Sequence, residues 1–266
     1  MDWKGFFDSL GMNGTRWQWR IMRWQRQWKQ GGQSGLSSPH APSVSQVLLF
    51  LNLLLFSAMV LRGASHGLGL SVLLTPKAEL LVSSGGQWWP LVIEHHQWWR
   101  CLTYAFTHGG IIHLGFNMMV LFQIGPQLEQ EIGPSGFLIL YLLTALTATL
   151  LGYLWHPLVV VVGASGSLFG LIGFSISYFH RIGTHIALAQ RDFMLKWAAF
   201  AFFFGLMVGA DNAAHLGGAI SGALLGLIYP MRLRTRQALR WPLSLLALCG
   251  GIALVASLCL LVLSWF

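Results

Sequence analysis

Two short segments carry the residues of most chemical interest: Gly163-Ala164-Ser165-Gly166 and Ala214-His215-Leu216-Gly217-Gly218. Each opens an apolar stretch long enough to enter a bilayer, which puts a hydroxyl and an imidazole in or at the edge of hydrocarbon. Polar and ionisable groups are expensive there and are usually functional. A serine and a histidine on facing helices are the minimum parts of a nucleophile and its general base. The pairing points to hydrolysis of a peptide bond within the membrane. Ser165 stands at a helix start, where free N–H groups and the positive end of the dipole face a developing oxyanion. Gly218, Gly222 and Gly226 follow His215 close to one helical face, and Gly166, Gly170 and Gly173 line the other helix. If the two glycine stripes pack together, Ser165 and His215 meet at one depth. Taken singly, each segment also fits simple helix packing through small residues; a shared depth favours chemistry.

A third cluster holds His113 and Asn117, at i and i+4 on one helical face. Both can donate hydrogen bonds, which suits an oxyanion; interhelical hydrogen bonding without chemistry is the competing reading. His108 lies about 140° around a helix from His113 and reads as a loop-anchoring residue. Asp211 precedes His215 by one helical turn and could orient it as the acid of a triad. Asp211 or Asn212 is equally a cap for the helix start, and the preferred arrangement is a Ser–His dyad without an acid. Glu94-His95-His96 is a weak ligand group, no HExxH pair exists, and neither a metal nor a cofactor is expected. Cys249 and Cys259 would lie about 15 Å apart along one helix, too far for a disulfide, and Cys101 stands alone.

The elements that must position these residues are membrane spans. Only 9% of the chain is charged, against about 25% in soluble domains, which makes it an integral membrane protein. Apolar runs at 44–61, 110–128, 137–155, 164–179, 194–209, 212–229 and 242–265 give seven spans near the ~20 residues needed to cross hydrocarbon. Lys4, Arg16, Arg20, Arg23, Arg26 and Lys29 precede the first; Arg181, Arg191 and Lys196 lie between or at the ends of spans four and five; Arg232, Arg234, Arg236 and Arg240 lie between six and seven. Only Arg62, Lys77 and Arg100 fall on the other side. The positive-inside rule then makes the N-terminus cytoplasmic and the C-terminus outside, in the cell inner membrane. The net charge of +8 is thus a topology signal, and nucleic-acid binding is not needed to explain it. The first span serves as its own insertion signal.

Residues 1–43 read as a cytoplasmic basic arm and linker. Trp17, Ile21, Trp24 and Trp28 share a helical face suited to lying on an anionic leaflet, and the stretch from Gly31 to Ser43 is rich in Gly, Ser and Pro. The long first connection, 63–109, carries Trp88, Trp89, Trp98 and Trp99 and is expected to dip into the interface. Residues 231–266 are a basic cytoplasmic loop and the seventh span.

Together these residues resemble the rhomboid family of intramembrane serine proteases over about 44–230. The resemblance rests on Trp99-Arg100, on His108, on His113 through Asn117 (HLGFN), on Gly125-Pro126-Gln127-Leu128-Glu129, and on the GASG and AHLGG motifs. It implies an all-α membrane protein, a six-helix bundle with a water-filled cavity, here extended by one C-terminal transmembrane helix. It implies that Ser165 is the nucleophile and His215 the base. His113, Asn117 and the Ser165 amide would form the oxyanion hole, and Trp99-Arg100 would belong to a structural loop. The partners would be transmembrane protein substrates within the bilayer. Phe169 departs from the tyrosine found in many relatives, keeping a stacking surface and losing a hydroxyl. A catalytically inactive rhomboid-like protein that binds membrane clients is the alternative; a small transporter is disfavoured because no internal repeat is visible.

Overall fold

Among the described residues, the first helix begins where the sequence changes from Gly, Ser and Pro to continuous apolar residues. In the computed structural model the described residues are 42–69, 71–207 and 211–266, so the arm expected over 1–43 falls almost entirely outside them. Ser43 caps α1 (Val44–Ser65) in a reciprocal box: Gln46 N donates to Ser43 Oγ, and Ser43 N donates to Gln46 Oε1 at 3.0 Å. Glu129 reinforces this start, accepting from Val44 N at 2.8 Å and Ser45 N at 2.9 Å. A carboxylate there complements the positive end of the helix dipole and ties the first span to the end of the second.

The long first connection is folded, not open. It contains α2 (Ser71–Leu74), α3 (Ala78–Ser83), α4 (Trp89–Ile93) and α5 (Arg100–Thr103), followed by a 3₁₀ turn over Tyr104–Phe106. Its tryptophans divide. Trp98 is exposed, as an interface anchor would be, whereas Trp89 is core, its ring centroid 4.5 Å from that of Tyr153.

Next comes α6 (Ile111–Trp155), two helices meeting at Gly133, whose φ of 78° and ψ of 161° are not helical. Glycine occupies that left-handed position at no steric cost, and Pro134 opens the second limb, where its missing N–H is no loss. Each limb has about the 20 residues of a span. Then follow α7 (Ser165–Ile182), α8 (His185–Met207), α9 (Asn212–Ile228) and α10 (Leu233–Leu263). By length and composition α1, α6 and α10 can cross a membrane, and α9 is a shorter apolar helix. The architecture is an all-α membrane bundle of six helices plus one at the C-terminus.

Two boundaries differ from the hydropathy reading. The fifth long helix starts at His185, not near 194, and carries Arg191 paired with Asp192 at 2.6 Å on an exposed turn. The seventh starts at Leu233, not near 242, so Arg234, Arg236 and Arg240 are helical. Apolar runs mark the hydrocarbon; backbone hydrogen bonding carries a helix past it. Arg236 anchors the extension, donating from Nε to the Pro230 carbonyl at 2.8 Å and from Nη2 to Tyr178 Oη at 2.8 Å. At its other end α10 packs on the first connection: Leu261 is fully buried, and Trp265 Nε1 donates to the Ser83 carbonyl at 2.9 Å. The Arg62 guanidinium lies 4.6 Å above the Trp265 ring.

At the centre lies α7, between the second limb of α6 and α9. The glycine stripes do pack together: a Cβ on Gly218 would overlap the Gly166 carbonyl oxygen, and one on Gly222 would overlap that of Gly170. On the opposite face a Cβ on Gly166 would come within 2.6 Å of Ala148 Cβ. Because the obstruction at Gly218 is backbone, no rotamer can relieve it. Gly218→Ala is expected to cost about 3 kcal/mol, read as a lowered unfolding midpoint in detergent; an unchanged midpoint would show that the two helices can slide apart freely.

Candidate active site

Ser165 is the first residue of α7, following Ala164 at the cap position, and no side chain caps this end. Its amide is therefore one of the free N–H groups of a helix N-terminus. The approach is fixed by Gly163, whose φ of 113° few side chains tolerate and whose N–H donates to the Tyr104 carbonyl at 2.9 Å. Tyr104 is buried, with its hydroxyl donating to the Ala145 carbonyl at 2.7 Å. One strand-like bridge, Gln87 with Val161, also holds the segment leading to the serine.

His215 lies in the first turn of α9, and its backbone N–H donates to the Asp211 carbonyl. Across the glycine contact, Ser165 Oγ and His215 Nε2 are 2.9 Å apart. Phe169, one turn after the serine, stacks on the imidazole with ring centroids 4.3 Å apart and planes 18° from parallel. The stacking surface expected of position 169 is thus present. His215 Nδ1 is buried and has no hydrogen-bond partner among the described residues. Asp211 is engaged elsewhere: its Oδ1 accepts from Ala214 N at 3.0 Å, as a cap, and lies 3.0 Å from His156 Nε2.

His113 and Asn117 lie beside Gly163. A Cβ on Gly163 would sit 2.7 Å from His113 Nε2, a clash, and 3.5 Å from Asn117 Nδ2, an ordinary contact, so glycine is what lets His113 lie here. Gly109 N–H donates to His113 Nδ1 at 3.3 Å. With Nδ1 accepting, the neutral ring carries its proton on Nε2, the atom turned towards Gly163. Asn117 Nδ2 is buried and has no hydrogen-bond partner among the described residues. His108 is fully buried, edge-on to His113 with centroids 5.1 Å apart. Burial, with His113 beside it, holds His108 down to about 3, so it is neutral.

Arg100 is 5% exposed, and burial lowers its guanidinium to about 10, leaving it charged at neutral pH. It donates to Gln97 Oε1 at 2.6 Å and to the Val82 and Gly86 carbonyls at 2.5 and 2.8 Å, with the Trp99 ring 4.4 Å from its guanidinium. Lysine cannot span the same fork. Arg100→Lys is expected to lose about 2 kcal/mol, measured as an unfolding midpoint; wild-type stability would leave the pair no structural role.

Glu94, His95 and His96 are exposed, and no group of three or more His, Cys, Asp or Glu among the described residues could hold a metal. His156 and Tyr104 went unnoticed in the sequence. Both act through contacts between distant segments, which leave no mark in local spacing.

The model of the Rhomboid domain matches residues 95–232, more than half of the chain. RHOMBOID-like protein 4 of Arabidopsis thaliana is 31% identical over 205 residues, covering 67% of this chain and 50% of that protein. Rhomboid protease GluP of Bacillus subtilis is 26% identical over 234 residues, covering 83% and 42%. Inactive RHOMBOID-like protein 8 of Arabidopsis thaliana is 29% identical over 168 residues, covering 60% and 46%. The chain thus spans about half the length of the curated relatives it matches. Its helices and this match agree: the chain is an integral membrane protein and belongs to the rhomboid family, which includes proteases.

Proposed function

We propose that this protein is an intramembrane serine endopeptidase that cleaves transmembrane segments of other membrane proteins near the outer face. The observation that carries the reading is the 2.9 Å separation of Ser165 Oγ and His215 Nε2. Ser165 Oγ attacks the scissile carbonyl carbon while its proton passes to His215 Nε2. The carbonyl oxygen becomes an oxyanion beside the Ser165 amide, His113 Nε2 and Asn117 Nδ2, where charge-assisted donors contribute most. Collapse breaks the C–N bond, His215 returns the proton to the leaving amine, and an acyl-serine remains. Water, deprotonated by His215, then releases the carboxylate by the same route. With Asp211 held by the helix cap and His156, the base works without an acid partner.

Further support comes from charge. Thirteen of the sixteen Lys and Arg fall on one side of the expected spans, which supports a cytoplasmic N-terminus and an outer C-terminus; the proposed location is the cell inner membrane. The test is labelling of the purified protein by a serine-directed fluorophosphonate, with Ser165→Ala as control. Labelling lost in the variant supports the reading; equal labelling of both overturns it. Kinship with a relative named inactive favours a second reading, a client-binding protein without activity. The assembled serine and histidine weigh against it.

A further inference from the structure

Asp211 and His156 join the two chain segments on which Ser165 and His215 are carried. His156 is the cap residue at the C-terminal end of α6, with its N–H donating to the Gly152 carbonyl at 2.8 Å. From it the chain runs through 157–164 directly to Ser165. Asp211 is the cap residue at the N-terminal end of α9, and both its side chain and its carbonyl serve the first turn, accepting from Ala214 N and His215 N. Between them, His156 Nε2 lies 3.0 Å from Asp211 Oδ1, with the side chains 26% and 14% exposed. The contact is tight on the α6 side as well: a Cβ on Gly152 would already lie 3.4 Å from Asp211 Oδ2.

We infer that the contact between His156 Nε2 and Asp211 Oδ1 is a positioning device that sets the reach of His215 Nε2 to Ser165 Oγ. This rests on the reading of Ser165 and His215 as nucleophile and base. The glycine contact between α7 and α9 fixes how near the helices lie, and the contact between the α6 terminus and the α9 cap adds a second constraint beside the serine and histidine. A proton transfer needs its atoms within hydrogen-bond distance. The contact also gives Asp211 a task other than orienting the imidazole, whose Nδ1 has no partner among the described residues.

The test compares His156→Ala, His156→Gln and Asp211→Ala with the wild type, in the full chain reconstituted in liposomes with a model transmembrane substrate. Misplacement of reacting groups by a distant change costs up to about 10²-fold, and His156→Ala is expected to lower kcat between about 10- and 10²-fold with KM unchanged. Fluorophosphonate labelling should slow in parallel. Glutamine, whose amide can donate to Asp211, should restore most of the loss. In the Asp211→Ala background the step from His156 to alanine should add nothing, because the two residues act as one unit.

Wild-type kcat and labelling in His156→Ala would overturn the inference. So would an alanine effect that glutamine leaves unrepaired, which would mean packing of the ring and not its polar contact with Asp211. An effect undiminished without Asp211 would do the same. If Asp211→Ala fails to fold, the alanine–glutamine comparison decides alone. A wild-type protein that neither cleaves nor labels overturns the protease reading and this inference with it; a labelled wild type indistinguishable from His156→Ala overturns only this one.

Discussion

Ser165→Ala is expected to reduce cleavage of a transmembrane substrate to background, a loss on the order of 10⁶ in kcat by analogy with other serine nucleophiles. His215→Ala should do the same, because a hydroxyl without a base is a poor nucleophile. Residues that act as one unit are non-additive, so the double variant should be no slower than either single one. Both substitutions remove atoms around one 2.9 Å contact and leave the glycine seam between α7 and α9 intact. The proteins should therefore remain folded in detergent, and gel filtration with thermal unfolding checks this. The measurement is product formation in proteoliposomes. Cleavage that persists in Ser165→Ala would remove the serine from the chemistry and the proposed mechanism with it.

The second large effect separates stabilisation of the oxyanion from attack. Asn117→Ala or His113→Ala should lower kcat by about 10²–10³ while KM changes little, since these donors meet charge that exists only in the transition state. Asn117 Nδ2 is buried beside Gly163 without a partner among the described residues. Truncation there removes a donor without a partner among the described residues and should not destabilise the fold. His113 should be somewhat more costly to stability because its Nδ1 holds the Gly109 amide. A parallel rise in KM with unchanged kcat would make the two residues substrate-binding groups. Wild-type kinetics would exclude them from the site.

Ser165 and His215 were legible because each stands at the head of an apolar run with glycines at helical spacing. The match of the two stripes needs no information beyond that spacing. The capping role weighed for Asp211 was legible too, since acidic residues at helix starts have a local reason to be there. What escaped were contacts with no local signature. His156 meets Asp211 only because α6 ends where α9 begins in space. Tyr104 supports Gly163 through a carbonyl that every residue possesses. Trp89 looked like its interfacial neighbours, and only the proximity of Tyr153 makes it core. Hydropathy also misjudged the starts of α8 and α10, because it measures transfer into hydrocarbon whereas a helix ends where its backbone bonds do. In the gap read between the second and third spans, Gly133 alone has non-helical angles.

That single-residue break has a consequence for length. Two antiparallel helices joined by a long loop can absorb insertions in the loop. Here there is no slack, and both limbs are indexed from Gly133. One residue added to a helix turns everything beyond it by about 100° and advances it by about 1.5 Å. An insertion between Asn117 and Gly133 would swing the face bearing His113 and Asn117 away from Gly163 while leaving every one of those residues in place. Counting from the break, the first limb of α6 works as a ruler: its number of residues is as much a part of the site as their identities.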